Sequence, residues 1–454
     1  MPDLLTIVEP ATEGVLAEVP RAGAAEVDEA VARARRALPA WRAIAPGKRA
    51  ALLRALADTL ESHLEELALL EARNAGKPIG SARGEMGMVV DTIRYYAGAP
   101  ERLMGDTIPV ANGQAFTVRE PLGVVGLIVP WNFPLAIATW KMGPALAAGN
   151  TVVLKPAELT PLSALRFAQL ALDAGIPEGV INVVVGPGRT VGQRLVEHPD
   201  VAKIAFTGST EVGRSIAAAA AQTIKRVTLE LGGKSANLIF ADADLEAAAA
   251  AAPWAVFDNA GQDCCARSRV LVEASAFDRF VALFEEHVAA IRVGDPLDPR
   301  TEMGPLISAA QRDSVASFLD AGDPVVFRGS APAGPGFWFA PTILAPTTRE
   351  ARVMREEVFG PIVAVIPFRD EEDAVALAND SIYGLSGSIW TRDGARALRV
   401  ARAIETGNLS INSNSSVRVS TPFGGFKQSG YGRELGPHAL DAYTEVKTIF
   451  FATS

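Results

Sequence analysis

Gly123-Val124-Val125-Gly126-Leu127-Ile128-Val129-Pro130 is an unbroken apolar run closed by proline. A strand with one wet face would alternate apolar and polar residues, so a run without alternation reads as a strand buried on both faces. Runs of the same kind recur at Thr151 to Lys155, Ile181 to Val185, Val201 to Phe206 and Arg226 to Leu231. Between them, Pro161 to Ala174, Val191 to His198 and Ser209 to Gln222 read as helices. Strands alternating with helices predict a doubly wound parallel layer of the nucleotide-binding type. From about Gly233 a second α/β set follows, with strands at Val270 to Glu273, Val363 to Ile366 and Gly407 to Asn412. Its helices are read at Ala243 to Asn259, Ala276 to Ile291, Gln311 to Ala321, Glu371 to Asn379 and Gly394 to Ile404. Upstream, Val27 to Trp41, Lys48 to Asn74 and Gly84 to Ala99 carry apolar residues at helical spacing and read as three core-packing helices.

Composition agrees with a large globular α/β chain. With 454 residues, 49% hydrophobic and 21% charged, two or three domains are expected. The formal charge of −9, without a dense Lys and Arg cluster, speaks against a nucleic-acid partner. The apolar runs Val124 to Trp131 and Ala247 to Val256 are too short to span a bilayer, so no membrane partner is expected. Met1-Pro2-Asp3-Leu4-Leu5 lacks the basic-then-apolar order of a signal peptide, and two adjacent cysteines suit a reducing compartment. The reading is cytoplasmic.

Those cysteines, Cys264 and Cys265, are the two in the chain, and neighbours in sequence cannot readily take disulfide geometry. Upstream, Thr228-Leu229-Glu230-Leu231-Gly232-Gly233-Lys234 supplies a carboxylate, and a thiol with a carboxylate suggests a nucleophile and a base. Free cysteine is only a few per cent thiolate at neutral pH, so Cys264 needs assistance. A Cys/His hydrolase is disfavoured, because His63, His198, His287 and His438 lie in no motif. Two stretches compete as phosphate cradles. Gly186-Pro187-Gly188-Arg189-Thr190-Val191-Gly192 has one residue too many for the dinucleotide fingerprint. Phe206-Thr207-Gly208-Ser209-Thr210-Glu211-Val212-Gly213 joins a strand to a helix whose first amides can bind an anion, or be capped by Ser209 and Thr210. Lys155 and Glu158, at another strand end, suit ribose hydroxyls or a solvated turn. Asn132 can donate to an oxyanion or brace a turn.

Taken in order over nearly the whole chain, seven elements resemble the aldehyde dehydrogenase superfamily. They are Pro130-Trp131-Asn132-Phe133-Pro134, Lys155-Pro156-Ala157-Glu158, Phe206 to Thr210, Glu230 to Lys234, Gly261-Gln262-Asp263-Cys264, Glu356-Glu357-Val358-Phe359-Gly360-Pro361 and Pro422-Phe423-Gly424-Gly425. The resemblance implies two Rossmann-type α/β domains plus a bridging β-strand oligomerisation element. Residues 1–102 and 123–232 would bind NAD, 233–432 would carry the cysteine, and 103–122 with 433–454 would make a homodimer or homotetramer. An unpaired edge such as Phe116 to Arg119 gives oligomerisation a physical motive. It further implies Cys264 as nucleophile toward an aldehyde, Asn132 and the Cys264 amide as oxyanion donors, Glu230 as the base that activates water, and Lys141 and Glu434 as its proton relay. Lys155 and Glu158 would meet the adenosine ribose, Ser209 the pyrophosphate, Glu357 the nicotinamide ribose and Phe359 the ring. Ile128, Val129, Trp131, Gly208, Gly213 and Leu231 complete the implied cofactor set. Glu158 favours NAD, since it would repel a 2′-phosphate. No metal is expected.

Two departures from the family stand out. The chain starts near Pro10-Ala11-Thr12, and the family's N-terminal hairpin is expected to be missing. Asp258 and Asp263 flank the nucleophile, and an Asp in the place of Asp263 resembles aminoaldehyde-oxidising branches; the two would favour a cationic tail and disfavour the thiolate, unless one or both point to solvent or pair with Arg267 or Arg269. Phe133, Ile137, Trp140, Val417 and Phe423 would form the apolar part of the substrate tunnel. A CoA-acylating dehydrogenase is the competing enzyme, disfavoured by Glu230, and a non-catalytic scaffold need not keep Cys264, Glu230 and Asn132 together.

Overall fold

All five residues of the strand Val124–Ile128 are buried in the computed structural model, which describes residues 3–415 and 417–453. Met1, Pro2 and Ser454, which enter the signal-peptide and domain readings, lie outside the described residues. In space, the first sheet runs Gly430–Tyr431, Arg226–Glu230, Val201–Thr207, Val124–Ile128, Thr151–Lys155, Ile181–Val183. Five of these are parallel, and Gly430–Tyr431, from far down the chain, closes one edge antiparallel. Val124–Ile128 has Thr151–Lys155 on one side and Val201–Thr207 on the other, so the strand order reverses beside it. Ligands of open α/β sheets bind in the crevice at such a point, and Val129 to Asn132 leave the strand there.

One face of this sheet is covered by Ala24–Ala43, Gln193–Glu197 and Thr210–Ala221, the other by Pro46–Ser62, Leu64–Ala75, Ile79–Ala97 and Pro134–Ala147. The expected single helix over Lys48 to Asn74 is two, broken at His63. Ser62 Oγ donates to the Thr59 carbonyl at 2.7 Å and His63 Nδ1 lies 2.9 Å from it, so side chains take a carbonyl that helical continuation would use.

The second sheet runs Val325–Arg328, Thr342–Leu344, Ile362–Phe368, Arg269–Glu273, Ala236–Ile239, Ser386–Trp390, Asn408–Ile411 and is parallel except for its first edge. Ala236–Ile239 and Ser386–Trp390, two of its interior strands, are absent from the sequence-based expectation. Ser386-Gly387-Ser388 has low strand propensity, and the absent side chain of Gly387 leaves room for Leu409, whose Cδ2 a Cβ there would approach to 2.9 Å. At the N-terminus, Leu4–Val8 and Val15–Pro20 pair as an antiparallel hairpin that turns through the Pro10-Ala11-Thr12 element, with Ile7 and Val19 buried against Val185. Thr444–Ala452, Gly113–Pro121 and Thr107–Val110 form a separate antiparallel sheet, built from the two segments expected to bridge.

Helix Leu245–Val256 ends three residues before the sequence pattern suggests, because the chain turns left-handed. Asn259, Ala260 and Gly261 have φ of 50, 56 and 71°. Gly261 is required twice over: by that φ, and by the Gly360 carbonyl, which a Cβ would approach to 2.3 Å. The turn is anchored by Phe257, fully buried and stacked on Phe284 at 6.5 Å. It delivers Gln262, Asp263 and Cys264 to the gap between the sheets.

Candidate active site

Cys264 borders a cavity of about 330 Å³ at the end of Val124–Ile128, shared with Trp131, Asn132, Gly232, Glu357 and Phe359. Its backbone is locked to the loop after Glu230. A Cβ on Gly233 would lie 2.1 Å from the Cys264 carbonyl oxygen, so only glycine fits, and the Gly233 amide donates to Glu357 Oε1 at 2.8 Å. Both cysteines are free, and their sulfurs lie within 4.8 Å of each other and of an Asp263 carboxylate oxygen. A hydrogen bond with Cys265, burial, and the negative neighbours Asp263 and Glu357 hold the Cys264 thiol well above the ordinary range. The flanking carboxylate does disfavour the thiolate. Among the described residues no acceptor takes the Cys264 amide hydrogen.

Asn132 is fixed from three directions. Its Nδ2 donates to the Gln262 carbonyl at 3.0 Å, and its own carbonyl accepts from Lys77 Nζ at 3.0 Å and Asn259 Nδ2 at 2.9 Å. The second Nδ2 hydrogen is left for a ligand. Lys77, Asn259 and Gln262 were not singled out in the sequence. Lys77 also pairs with Glu85 and lies 4.6 Å from the Phe133 ring centre; a fully buried lysine between Gly76 and Pro78 carries no pattern that announces it. Gln311, another omission, donates to the Phe359 carbonyl at 2.8 Å and lines the cavity.

Glu230 ends the strand Arg226–Glu230, buried behind the cysteine loop. Among the described residues neither carboxylate oxygen has a protein partner. Burial, then the charge of Glu434, raises its proton affinity well above an ordinary carboxyl, with Lys141 and Arg433 opposing. Lys141 is paired with Glu434 and donates to Thr207 Oγ1 at 2.7 Å. The expected relay residues are therefore in contact with each other and in the field of the expected base.

A second cavity, of about 680 Å³, shares Pro130, Trp131 and the segment Thr207 to Ser209 with the first and continues it across the sheet. Ile128, Val129, Lys155, Glu158, Gly208 and Ser209 all line it. Ser209 caps Thr210–Ala221, accepting from Val212 N at 3.4 Å, and the free amides of that helix start open on the groove. Ser209 alone is the cap, since Thr210 Oγ1 donates instead to the Gln428 carbonyl at 3.3 Å. Glu158 lies 3.6 Å from Arg21, and burial lowers the Lys155 ammonium below its usual range. Leu231, Glu357 and Phe359 line the smaller cavity, where Phe359 stands edge-on to Trp131 at 5.2 Å and burial pushes the Glu357 carboxyl up to about 7. Gly213 lines neither cavity. A Cβ there would lie 2.5 Å from Leu231, so Gly213 admits the side chain that does. The Gly186 to Gly192 stretch contributes Gly188, Arg189 and Gly192 to the wall of the larger groove.

Phe133, Ile137, Trp140, Val417 and Phe423 gather in the apolar cluster that also holds Cys264 and Cys265, with Trp140 edge-on to Phe423 at 5.3 Å. Asp258 and Asp263 are half-buried in the loop leading to Cys264. Burial raises both carboxyls and Asp263 further raises Asp258, while Lys77 opposes. Asp263 Oδ1 accepts from Cys265 N at 2.8 Å. Arg269 does not pair with either: its donors go to the carbonyls of Lys234, Leu377 and Ala378. Arg267 lowers Asp263 but donates to Ser388 and the Cys265 carbonyl.

Comparison with known proteins supplies the context for this geometry. The model of the aldehyde dehydrogenase family matches residues 3–449. The NADP/NAD-dependent aldehyde dehydrogenase PuuC of Escherichia coli is 45% identical, over 98% of this chain and 92% of its own. Betaine aldehyde dehydrogenase of Bacillus subtilis is 41% identical over 98% and 93%. An NAD+ complex of aldehyde dehydrogenase from Bacillus cereus superposes with a TM-score of 0.98 at 42% identity, covering 100% of this chain and 94% of that one. A match of that extent, on a chain whose cysteine and asparagine line one crevice next to the strand end that carries a buried glutamate, shows that the protein belongs to the aldehyde dehydrogenase family.

Proposed function

We propose that the chain oxidises an aldehyde to a carboxylic acid with NAD, through a thioester on Cys264 that water cleaves. The observation that carries this is the pairing of a thiol on the cavity, Cys264, with a buried carboxylate, Glu230, that has no hydrogen-bond partner among the described residues. Cys264 attacks the aldehyde carbon as the thiolate, its proton having passed to solvent in the cavity, and the oxygen that gains charge meets the Cys264 amide and the free Nδ2 hydrogen of Asn132. Losing one such donor costs about 2.7–4 kcal/mol of transition-state stabilisation. Bound NAD supplies the hydride acceptor. The groove fits it by its polar groups: the helix-start amides at Ser209 and the Lys155 ammonium as donors, and the Glu158 and Glu357 carboxylates as acceptors for ribose hydroxyls. Glu230 then takes a proton from water as the water oxygen adds to the thioester carbon, and the Cys264 thiolate leaves.

In this reading residues 1–102 and 123–232 form the cofactor-binding domain and 233–432 the catalytic domain. Residues 103–122 and 433–454 bridge protomers of a homodimer or homotetramer; the sheet they build exposes Phe116, Val446, Ile449, Phe450 and Phe451, apolar area a second copy would cover. No helix among the described residues is long and apolar enough to cross a membrane, and the free cysteine pair suits a reducing cytoplasm. Glu158 favours NAD. Asp258 and Asp263 favour ω-amino or other polar aldehydes, and a relative whose name gives betaine aldehyde supports a cationic tail.

Incubation with NAD and a panel of aldehydes is expected to yield NADH at a rate that CoA leaves unchanged. Cys264→Ala should lower it about 10³-fold or more, whereas Glu230→Gln should keep one rapid equivalent of NADH and lose about 10²–10⁴-fold in steady turnover. CoA-dependent turnover would instead indicate acyl transfer to a thiol, and activity in Cys264→Ala would remove the mechanism. Because only ionised Glu230 accepts a proton and its affinity is raised, turnover should fail as pH drops through a value above the ordinary carboxylate range. For the substrate, Asp258→Asn with Asp263→Asn is expected to lower the kcat/KM ratio of aminobutyraldehyde to butyraldehyde about tenfold; an unchanged ratio contradicts the assignment. Light scattering should give a dimer or tetramer that Val446→Asp with Phe450→Asp reduces to protomers, and a monomeric wild type at all concentrations would refute the bridging role.

A further inference from the structure

Lys203 takes no part in the chemistry above, yet it is 1% exposed. It stands on Val201–Thr207, where Lys203, Ala205 and Thr207 project to one face because side chains alternate along a strand. Ala205 packs in the cluster beneath Pro134–Ala147, so Lys203 faces the layer from which Lys141 descends. On the neighbouring strand Thr228 and Glu230, two apart, share that face. The Lys203 ammonium donates to Thr228 Oγ1 at 2.5 Å and lies 5.0 Å from the centre of the Tyr443 ring.

The charged groups that face Lys203 are Glu434, Lys141 and Arg226. Arg226 is paired with Glu445 at the rim. Glu434 has one oxygen on Lys141, while its Oε2, like the Tyr443 hydroxyl, is buried without a protein partner among the described residues. Tyr96 and Tyr443 also lie in the field of Glu434, and Arg433 and Cys265 in that of Glu230. Glu230, Glu434, Lys141 and Lys203 thus make two carboxylates and two ammoniums on one face of the sheet, in a packed interior. Burial brings Lys203 down to about 7, a value at which its charge responds to the state of its neighbours.

We propose that Lys203 is a positioning residue for deacylation, acting through Glu434 to keep Glu230 able to take a proton from the attacking water and release it before the next turnover. This rests on the reading of Glu230 as the base. With Lys203 uncharged, one ammonium would balance two carboxylates, and the pair would retain a proton to higher pH. Capture of the aldehyde and hydride transfer precede that step and need no charge at Lys203.

The test compares wild type, Lys203→Met and Lys203→Arg with NAD and an aldehyde, recording the first equivalent of NADH and steady-state kcat against pH. All three are expected to give the same rapid first equivalent. In Lys203→Met the acid limb of kcat should move up by about one pH unit, with about tenfold lower turnover below it, and Lys203→Arg should restore the wild-type limb. Thr228→Val, which removes the anchor of the ammonium and leaves Lys203 in place, should move the limb in the same direction by less. Unmoved limbs in both Lys203→Met and Thr228→Val, or a first equivalent and kcat that fall by one factor at every pH, overturn the proposal. Absence of NADH in the wild type would instead overturn the reading on which it rests.

Discussion

Burying a carboxylate without a partner costs free energy, and Glu230 stands in that position among the described residues. The surrounding structure keeps the cost bearable by charge balance rather than by direct contact. Lys141 descends from one helix to pair with Glu434, which arrives from the C-terminal part of the chain, and both sit beside the strand that ends in Glu230. A carboxyl held this way stays protonated to higher pH than usual, and it becomes a stronger base for water once ionised. Direct pairing would have stabilised the fold more and left the site without a base.

The same economy governs the thiol. The left-handed turn Asn259 to Gly261 and the missing side chains of Gly233 and Gly261 bring two loops closer than other residues allow. Glu357 reaches across that contact to the Gly233 amide, so a cofactor-side carboxylate and the cysteine backbone share one support. Local strain is offset by packing behind it, where Phe257 and Phe284 each bury a side chain contributing about 1.5–3 kcal/mol.

How much of this was legible in the sequence follows from which interactions are local. Unbroken apolar runs identified the strands of the first sheet, because burial on both faces leaves a compositional mark. Ser386–Trp390 leaves none, since its place inside the sheet is secured by pairing on both sides, with Ala236–Ile239 far away in sequence and with Asn408–Ile411. Within the site, Cys264, Glu230 and Asn132 lie in recognisable motifs. Lys77 and Lys203 do not, and an isolated lysine looks like surface until tertiary structure buries it. Asp263 shows the opposite limit: its residue type suggested substrate, while part of its carboxylate holds the Cys265 amide.

The central claim is that Cys264, rather than its neighbour, carries the acyl group that Glu230 helps water to remove. Peptide-level fragmentation mass spectrometry on Glu230→Gln protein, quenched after a single turnover with NAD and an aldehyde, addresses it directly. The account predicts the acyl mass on Cys264, in proportion to the NADH formed. An adduct on Cys265, or NADH formed with neither cysteine modified, would contradict it.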